Sequence, residues 1–245
     1  MLHAPFLRQL RLDPTRIEHA SFPFGAVPFL TEDFELRFDN AVTIFVGENG
    51  SGKSTLIEAM AQACGFSAQG GEQGYLTGEA ETQNALTKAL RFSWLPKVNR
   101  GFFFRAESFF NYQTYIDKAY EGSGRLSPGM HLRSHGEAFL EAFTGRLSGD
   151  KRSIFFLDEP EVALSPQRQL AFLRIMREWQ LGGQVQAIVA THSPILMSLP
   201  DAALLSLDGG AIRPITLEET EHYRVTRHFL GNPTAFLADL FADLG

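Results

Sequence analysis

The stretch from Val42 to Thr55, VTIFVGENGSGKST, restricts this chain more than any other. Val42 to Val46 is an apolar, mostly β-branched run of the kind that forms a buried strand. It leads into Gly47-Glu48-Asn49-Gly50-Ser51-Gly52-Lys53-Ser54, which fits G-x-x-x-x-G-K-[ST] without a mismatch. Three glycines let the backbone curl so that consecutive N–H groups point into one hollow sized for a phosphate. Lys53 is expected to stand in solvent without ligand and to reach the β- and γ-phosphates when one is bound, while the Ser54 hydroxyl ligates Mg²⁺. A helix predicted from Thr55 to Cys64 turns the positive end of its dipole toward the same anion. Leu56, Met60 and Cys64 give that helix an apolar face, and Gly65 ends it. The pattern predicts a nucleoside triphosphate bound together with Mg²⁺.

The chain of 245 residues is long enough to bury a sizeable core, and its 20% charged content is that of ordinary globular proteins. A net charge of −6 gives no global attraction to nucleic acid or to an anionic membrane, so nucleic-acid binding would need a local basic patch. The single cysteine, Cys64, rules out an intrachain disulfide and fits a reducing compartment. No run approaches the length of a membrane span, and MLHAPFLRQLRLDP lacks the order of charges and apolar residues of a signal peptide. The expectation is a cytoplasmic protein without membrane insertion.

Apolar and polar residues alternate over Pro5 to Leu12 and Asp33 to Phe38, predicting half-buried strands joined through a turn at Phe22-Pro23-Phe24-Gly25. Ser67 to Gly78, rich in Gly, Gln and Ala, reads as a mobile loop. Two further strands are predicted at Leu90 to Leu95 and Phe102 to Arg105, then a helix over Ser108 to Ala119. A second helix follows Ser134-His135-Gly136-Glu137 to about Leu147, with Phe139, Phe143 and Leu147 on one face. The phenylalanine clusters at Phe102-Phe103-Phe104 and Phe109-Phe110 read as core or subunit contact.

Ser153 to Leu157 is a wholly apolar strand that delivers Asp158-Glu159-Pro160. Ser165-Pro166 opens a helix that Gly182-Gly183 closes, and Val185 to Ala190 is another buried strand ending at Thr191-His192-Ser193-Pro194. Ala203 to Leu207 and Ala211 to Ile215 form a hairpin, Thr216-x-x-Glu219 is a capping box for a helix ending at Gly231, and Asn232-Pro233 starts the last helix. This alternation argues an α/β fold with a mainly parallel sheet covered on both faces.

Asp158 falls at the C-terminal end of a buried strand, where open α/β sheets place their sites, and is suited to hold Mg²⁺ with Ser54. Glu159 adds a second carboxylate placed to orient or deprotonate an attacking water. His192, 34 residues after Asp158, ends the next strand and is placed to hydrogen-bond the γ-phosphate or that water. The candidate catalytic residues are therefore Lys53, Glu159 and His192. The candidate nucleotide-binding residues in the loop run from Gly47 through Glu48, Asn49, Gly50, Ser51, Gly52, Lys53 and Ser54 to Thr55.

The order GENGSGKST, LDEP, ATHSP resembles the ABC-type P-loop ATPases over nearly the whole chain. The form DEPE…LSP is similar to the cytosolic ATPases of recombination, chromosome maintenance and overcoming of lysogenization, and to small stand-alone ATPases carrying RAESFF and SHGE stretches. The resemblance implies one ATPase unit over 1–245. Within it, 1–106 would hold an antiparallel N-terminal β part and the phosphate loop, 107–150 a small helical lobe, and 151–245 the remaining motifs and C-terminal helices. It places Ala163-Leu164-Ser165 at the family's D-loop. The signature that reaches a partner's γ-phosphate would be Arg133-Ser134-His135-Gly136-Glu137, keeping Ser134 and Gly136 of L-S-G-G-Q. The Q-loop position falls among Arg105, Glu107 and Gln113, with Glu107 a candidate metal-side oxygen. Phe22, Phe24 and Phe29 are candidates for adenine stacking and equally for core.

The resemblance further implies ATP hydrolysis by a homodimer that closes head to tail, coupled to an unidentified effector protein. The alternatives are the ATP-binding subunit of a transporter, a DNA-repair or defence ATPase with a separate effector, a non-hydrolytic switch and a small-molecule kinase. Eighty residues separate Ser54 from Ser134, too few for a long coiled coil.

Overall fold

A computed structural model of the chain describes residues 2–72, 85–106, 135–145 and 150–242. The predicted helix over 108–119, Gln113, Phe109-Phe110, Glu107, Ser134 and Leu147 lie outside them.

Two sheets carry the fold. The smaller is antiparallel, in the order β2-β1-β5, from β1 (Leu7–Leu12), β2 (Glu35–Arg37) and β5 (Leu90–Trp94). The larger has seven strands: β3 (Val42–Val46), β4 (Gly71–Glu72), β6 (Gly101–Arg105), β7 (Ser153–Asp158), β8 (Val185–Ala190), β9 (Ala203–Ser206) and β10 (Arg213–Pro214). Their order is β10-β9-β3-β8-β7-β6-β4, with β9, β3, β8, β7 and β6 parallel and antiparallel strands at both edges. The helices are α1 (Lys53–Ala63), α2 (Ala85–Ala89), α3 (His135–Thr144), α4 (Pro166–Gly182), α5 (Pro194–Met197), α6 (Glu221–Gly231) and α7 (Pro233–Leu240).

The strand sequences explain the layers. Phe45, Phe103, Ile154, Phe156, Ile188 and Ala190 face a core shared with α1 and the small sheet. Their neighbours Val42, Ile44, Phe102, Phe104, Phe155, Leu157, Ala187 and Val189 face the opposite core, under α3, α4 and α5. Period-2 alternation of side chains therefore sends two apolar sets to two covered faces, and the strands read as continuous apolar runs. The second core is aromatic: Phe139 stacks edge-on to Phe104 and Phe172 at 4.8 Å, and Phe143 meets Trp179 at 5.5 Å. The Phe102–Phe104 cluster is core, as expected.

Several boundaries differ from the sequence reading. The helix after the glycine loop begins at Lys53, two residues early, because Gly52 adopts the left-handed conformation (φ 95°) that turns the chain directly into the helix. Gly71–Glu72, expected in a loop, forms a short edge strand on β6. The capping box Thr216–Glu219 is real but serves one 3-10 turn, Leu217–Glu219, and α6 is started instead by Thr220, whose hydroxyl accepts from Tyr223 N. Helix α2 has no counterpart in the sequence reading.

One polar residue joins the sheets. Gln186 lies inside β8 with no exposure. Its Oε1 accepts from Phe6 N (2.8 Å) and Leu7 N (2.7 Å), and its Nε2 donates to Leu7 O (2.9 Å). The amide is worth keeping in a core only because its partners are backbone groups that would otherwise be buried unpaired. Gln186→Leu is expected to cost about 2–4 kcal/mol, read as a fall in Tm of roughly 5–15 °C. A thermal melt unchanged within about 0.5 kcal/mol would mean that the N-terminal strand is held by packing alone.

Candidate nucleotide site

Because β3, β6, β7, β8 and β9 run parallel in register, they deliver Val46, Arg105, Asp158, Ala190 and Ser206 to one edge of the sheet. The loops leaving that edge are Gly47–Gly52, Glu159–Pro160, Thr191–Ser193 and Leu207–Gly210, so chain-distant motifs meet there.

The glycine loop is shaped by what surrounds it. Gly47 has φ +146°, and a Cβ there would stand 2.8 Å from Asp208 Oδ1. A Cβ at Gly52 would stand 2.9 Å from Val27 Cγ1. Lys53 is not solvated as expected: it is 4% exposed. Its Nζ donates to Gly47 O (2.7 Å) and Glu48 O (3.0 Å), folding back under the loop. Burial lowers its pKa, opposed by the charges of Glu159, Asp208, Asp158 and Glu48. The lysine is buried because the curled loop itself offers it acceptors.

Ser54 and Asp158 are brought together, the hydroxyl donating to Asp158 Oδ1 at 2.9 Å. Burial pushes Asp158 up to about 6, helped by neighbouring Glu159 and opposed by the Ser54 hydroxyl and Arg105. A buried carboxylate with one neutral donor is short of positive charge. This pair fits Mg²⁺, which is held by one or two carboxylates together with phosphate oxygens. Among the described residues no group of three or more acidic, His or Cys side chains forms a complete metal cage. Arg105 is engaged with Glu58 Oε2 (3.3 Å) and Ala68 O (3.0 Å).

Glu159 occupies the left-handed region (φ 51°, ψ 54°), where a side chain costs roughly 1 kcal/mol or more, and its N–H donates to Ala190 O at 2.9 Å. This turn directs its carboxylate over the loop, 3.6 Å from His192 Nε2. The pKa of His192 is lowered chiefly by burial, with Lys53 and His222 adding to that and Glu159 and Glu48 opposing. A hollow of about 240 Å³ is lined by Asn49, Gly50, Lys53, Thr55, Glu159 and Phe22. Of the three aromatic candidates for adenine, Phe24 and Phe29 are buried, whereas Phe22 is 65% exposed at the hollow's rim. Gly136 lies in the first turn of α3.

Three residues absent from the motif reading brace the site. Asp208, after β9, accepts from Glu48 N at 2.8 Å and packs against Gly47. Glu161 accepts from His192 N at 2.6 Å. His222, on α6, places Nε2 2.7 Å from His192 Nδ1. A carboxylate directly after a short apolar strand was a usable signal for Asp208, whereas nothing local marks His222.

Residues 23–107 match a family model described as "AAA domain", and residues 138–198 one described as "AAA domain, putative AbiEii toxin, Type IV TA system". The chain is 28% identical to "ABC transporter I family member 1" of Arabidopsis thaliana, over 73% of this chain and 81% of that protein. It is also 28% identical to "Probable branched-chain amino acid transport ATP-binding protein LivF" of Archaeoglobus fulgidus, over 56% of this chain and 64% of that one, less than two thirds of its length. Similar solved structures include cbiO1 from Clostridium perfringens, part of the ABC transporter complex cbiONQ (17% identity, 94% and 97% of the two chains, TM-score 0.48). Another is the SMC head domain from Thermotoga maritima (18%, 86% and 99%, TM-score 0.44). No helix among the described residues is long and apolar enough to cross a membrane.

The brace on the loop is open to test. Asp208→Ala frees the Glu48 N–H and is expected to weaken ATP binding by about tenfold, the equivalent of one lost charge-assisted bond. Asp208→Asn keeps an acceptor and is expected to bind ATP within about threefold of wild type. Calorimetric titration of both variants decides, and equal losses would mean that charge, not the bond, matters.

The matched segments contain the glycine loop, Asp158, Glu159 and His192, and those residues meet at the shared edge of a mainly parallel sheet: the matches and this arrangement together support an ABC-type P-loop ATPase.

Proposed function

We propose that this chain, acting as one unit over 1–245, is a Mg²⁺-dependent ATPase that closes head to tail on ATP and drives or switches a separate effector. The observation that carries the reading is the meeting of Lys53, Ser54 and Glu159 around one hollow, with Asp158 bonded to Ser54 and His192 3.6 Å from Glu159 behind them. Bound Mg²⁺, held by Ser54 and Asp158, supplies charge neutralisation to the phosphates. Lys53 exchanges its loop carbonyls for β- and γ-phosphate oxygens. Glu159 takes a proton from water as its oxygen bonds to the γ-phosphorus and the bond to the β–γ bridging oxygen breaks, leaving ADP and phosphate. His192 donates a hydrogen bond to the γ-phosphoryl oxygen or the water, and Phe22 stacks on adenine. Ser134 and Gly136 would complete the partner's site, and Glu107 the metal side.

The names of the curated relatives favour a second reading, the ATP-binding subunit of a transporter. The description of the second family model favours a defence ATPase with a separate effector. Affinity capture of Glu159→Gln with ATP separates them: an integral membrane protein supports the former, a nuclease or toxin the latter.

Glu159→Gln is expected to bind ATP normally and to hydrolyse it about a hundredfold or more slowly, since the amide accepts no proton. It should accumulate as an ATP-dependent dimer by light scattering. Hydrolysis at the wild-type rate would remove Glu159 from the chemistry.

Mixing variants tests the dimer. Lys53→Ala, which also removes the loop's internal brace, and Ser134→Arg are each expected to be inactive alone. With random exchange about half of the dimers are mixed and half of their sites are intact, so roughly a quarter of all sites recover. Recovery of hydrolysis on mixing supports action in trans. Full activity of Ser134→Arg alone would show that the serine merely begins a helix.

A further inference from the structure

His192 is held from behind by a second histidine. Its Nδ1 lies 2.7 Å from His222 Nε2, with the ring centroids 4.8 Å apart and the planes at 56°. His222 stands in the first turn of α6, whose start is fixed by the Thr220 cap and by the capped turn Leu217–Glu219 before it. It does not line the hollow that holds Lys53, Ser54 and Glu159. It lines one of about 450 Å³ on the other flank of the glycine loop, with Gly47, Glu48, Asp208 and Arg224. Its contact with the candidate site's side chains is the one to His192.

Neutral imidazole carries one proton, and the surroundings distinguish its two positions. With the proton on Nδ1, His192 would donate to His222 and turn the Nε2 lone pair toward the Glu159 carboxylate at 3.6 Å. The lone pair of a buried Nε2 would then face a carboxylate, and Nε2 has no other hydrogen-bond partner there to relieve it. With the proton on Nε2, the N–H faces the carboxylate, and Nδ1 becomes an acceptor that needs a donor. His222 Nε2–H is at the right distance to be that donor.

We propose that His222 is a positioning residue, donating from Nε2 to His192 Nδ1 and so keeping the His192 proton on Nε2, where it faces Glu159 and the γ-phosphoryl. The proposal rests on the reading of His192 and Glu159 given above. It makes the orientation of the γ-phosphate contact a property of α6 as well as of the turn after β8. A side-chain partner fixing a histidine tautomer from behind has the same logic as the aspartate of a catalytic triad.

The test compares His222→Leu, which removes the donor, with His222→Gln, whose amide N–H can replace it, in the full chain with Mg-ATP. His222→Leu is expected to lower kcat by about ten- to a hundredfold with KM changed by less than about twofold, because no ground-state contact to nucleotide is lost. His222→Gln is expected to restore kcat to within about threefold of wild type. Ring-nitrogen NMR spectra of ¹⁵N-histidine protein without nucleotide should show His192 as the Nε2–H tautomer in wild type and His222→Gln, and lose that preference in His222→Leu. An Nδ1–H tautomer in wild type overturns the proposal, as does wild-type kcat in His222→Leu, or His222→Gln impaired as much as His222→Leu. Should His222→Leu fail to fold, the wild-type spectrum and His222→Gln decide alone. His192→Ala provides the reference: if it hydrolyses ATP at the wild-type rate, the reading of His192 fails, while the ring spectra still decide whether His222 sets the tautomer.

Discussion

A lysine ammonium almost wholly withdrawn from water is the constraint on which the rest of this structure depends. An unpaired ammonium in that place would cost several kcal/mol. Lys53 avoids the cost through two loop carbonyls and through the charges of Glu159, Asp208, Asp158 and Glu48 around it. Those carboxylates come from the loop itself, from the end of β7 and from the turn after β9. They converge only if β9, β3 and β7 end at one edge of the sheet, which the parallel register ensures. On the proposed reading, a Mg²⁺ ion held by Ser54 and Asp158 would offset the acidic groups gathered here when a triphosphate binds.

Much of this was legible in the sequence because the relevant information is local. A five-residue apolar strand, a glycine pattern of fixed spacing and a helix start are contiguous, and each has a physical reason that needs no neighbour. The strands at β3, β7 and β8 were recognisable as buried on both faces because they lack the polar alternation of β1. The position of Asp158 and His192 at strand ends followed from those boundaries. The capping box at Thr216 was equally legible as chemistry, but the length of the helix it starts was not, because a single 3-10 turn uses the same cap.

What the sequence did not reveal lies in strand order and long-range contact. Asp208 reaches Glu48 across 160 positions only because β9 inserts beside β3, on the side opposite β8. Gln186 reads as one polar residue in an apolar strand, and its purpose appears only when β1, 179 positions away, is laid against it. The choice among Phe22, Phe24 and Phe29 likewise depended on how one turn folds over the loop: two of the rings point into the core shared with α1, and one does not. The buried state of Lys53 was misjudged for a related reason. A motif describes what the lysine does with phosphate and says nothing of the loop's own carbonyls, which take its Nζ here.

His192 shows how these two kinds of information combine. Its place at the end of β8 follows from the strand, but its orientation is imposed by residues from two other elements: Glu161, which takes its backbone N–H, and His222, which meets its ring. Glu161 belongs to the turn that also aims Glu159, so the positions of the Glu159 carboxylate and of His192 are both set by the turn after β7. His222 belongs to α6, a helix with no buried residue, on which Val225 and Leu230 are exposed. The ring of His192 is thus fixed on one side by the stable centre of the sheet and on the other by the most solvated helix that touches the site. On the proposed reading, a displacement of α6 would act on the His192 ring through His222, whereas the Lys53–loop and Ser54–Asp158 bonds involve no residue of α6.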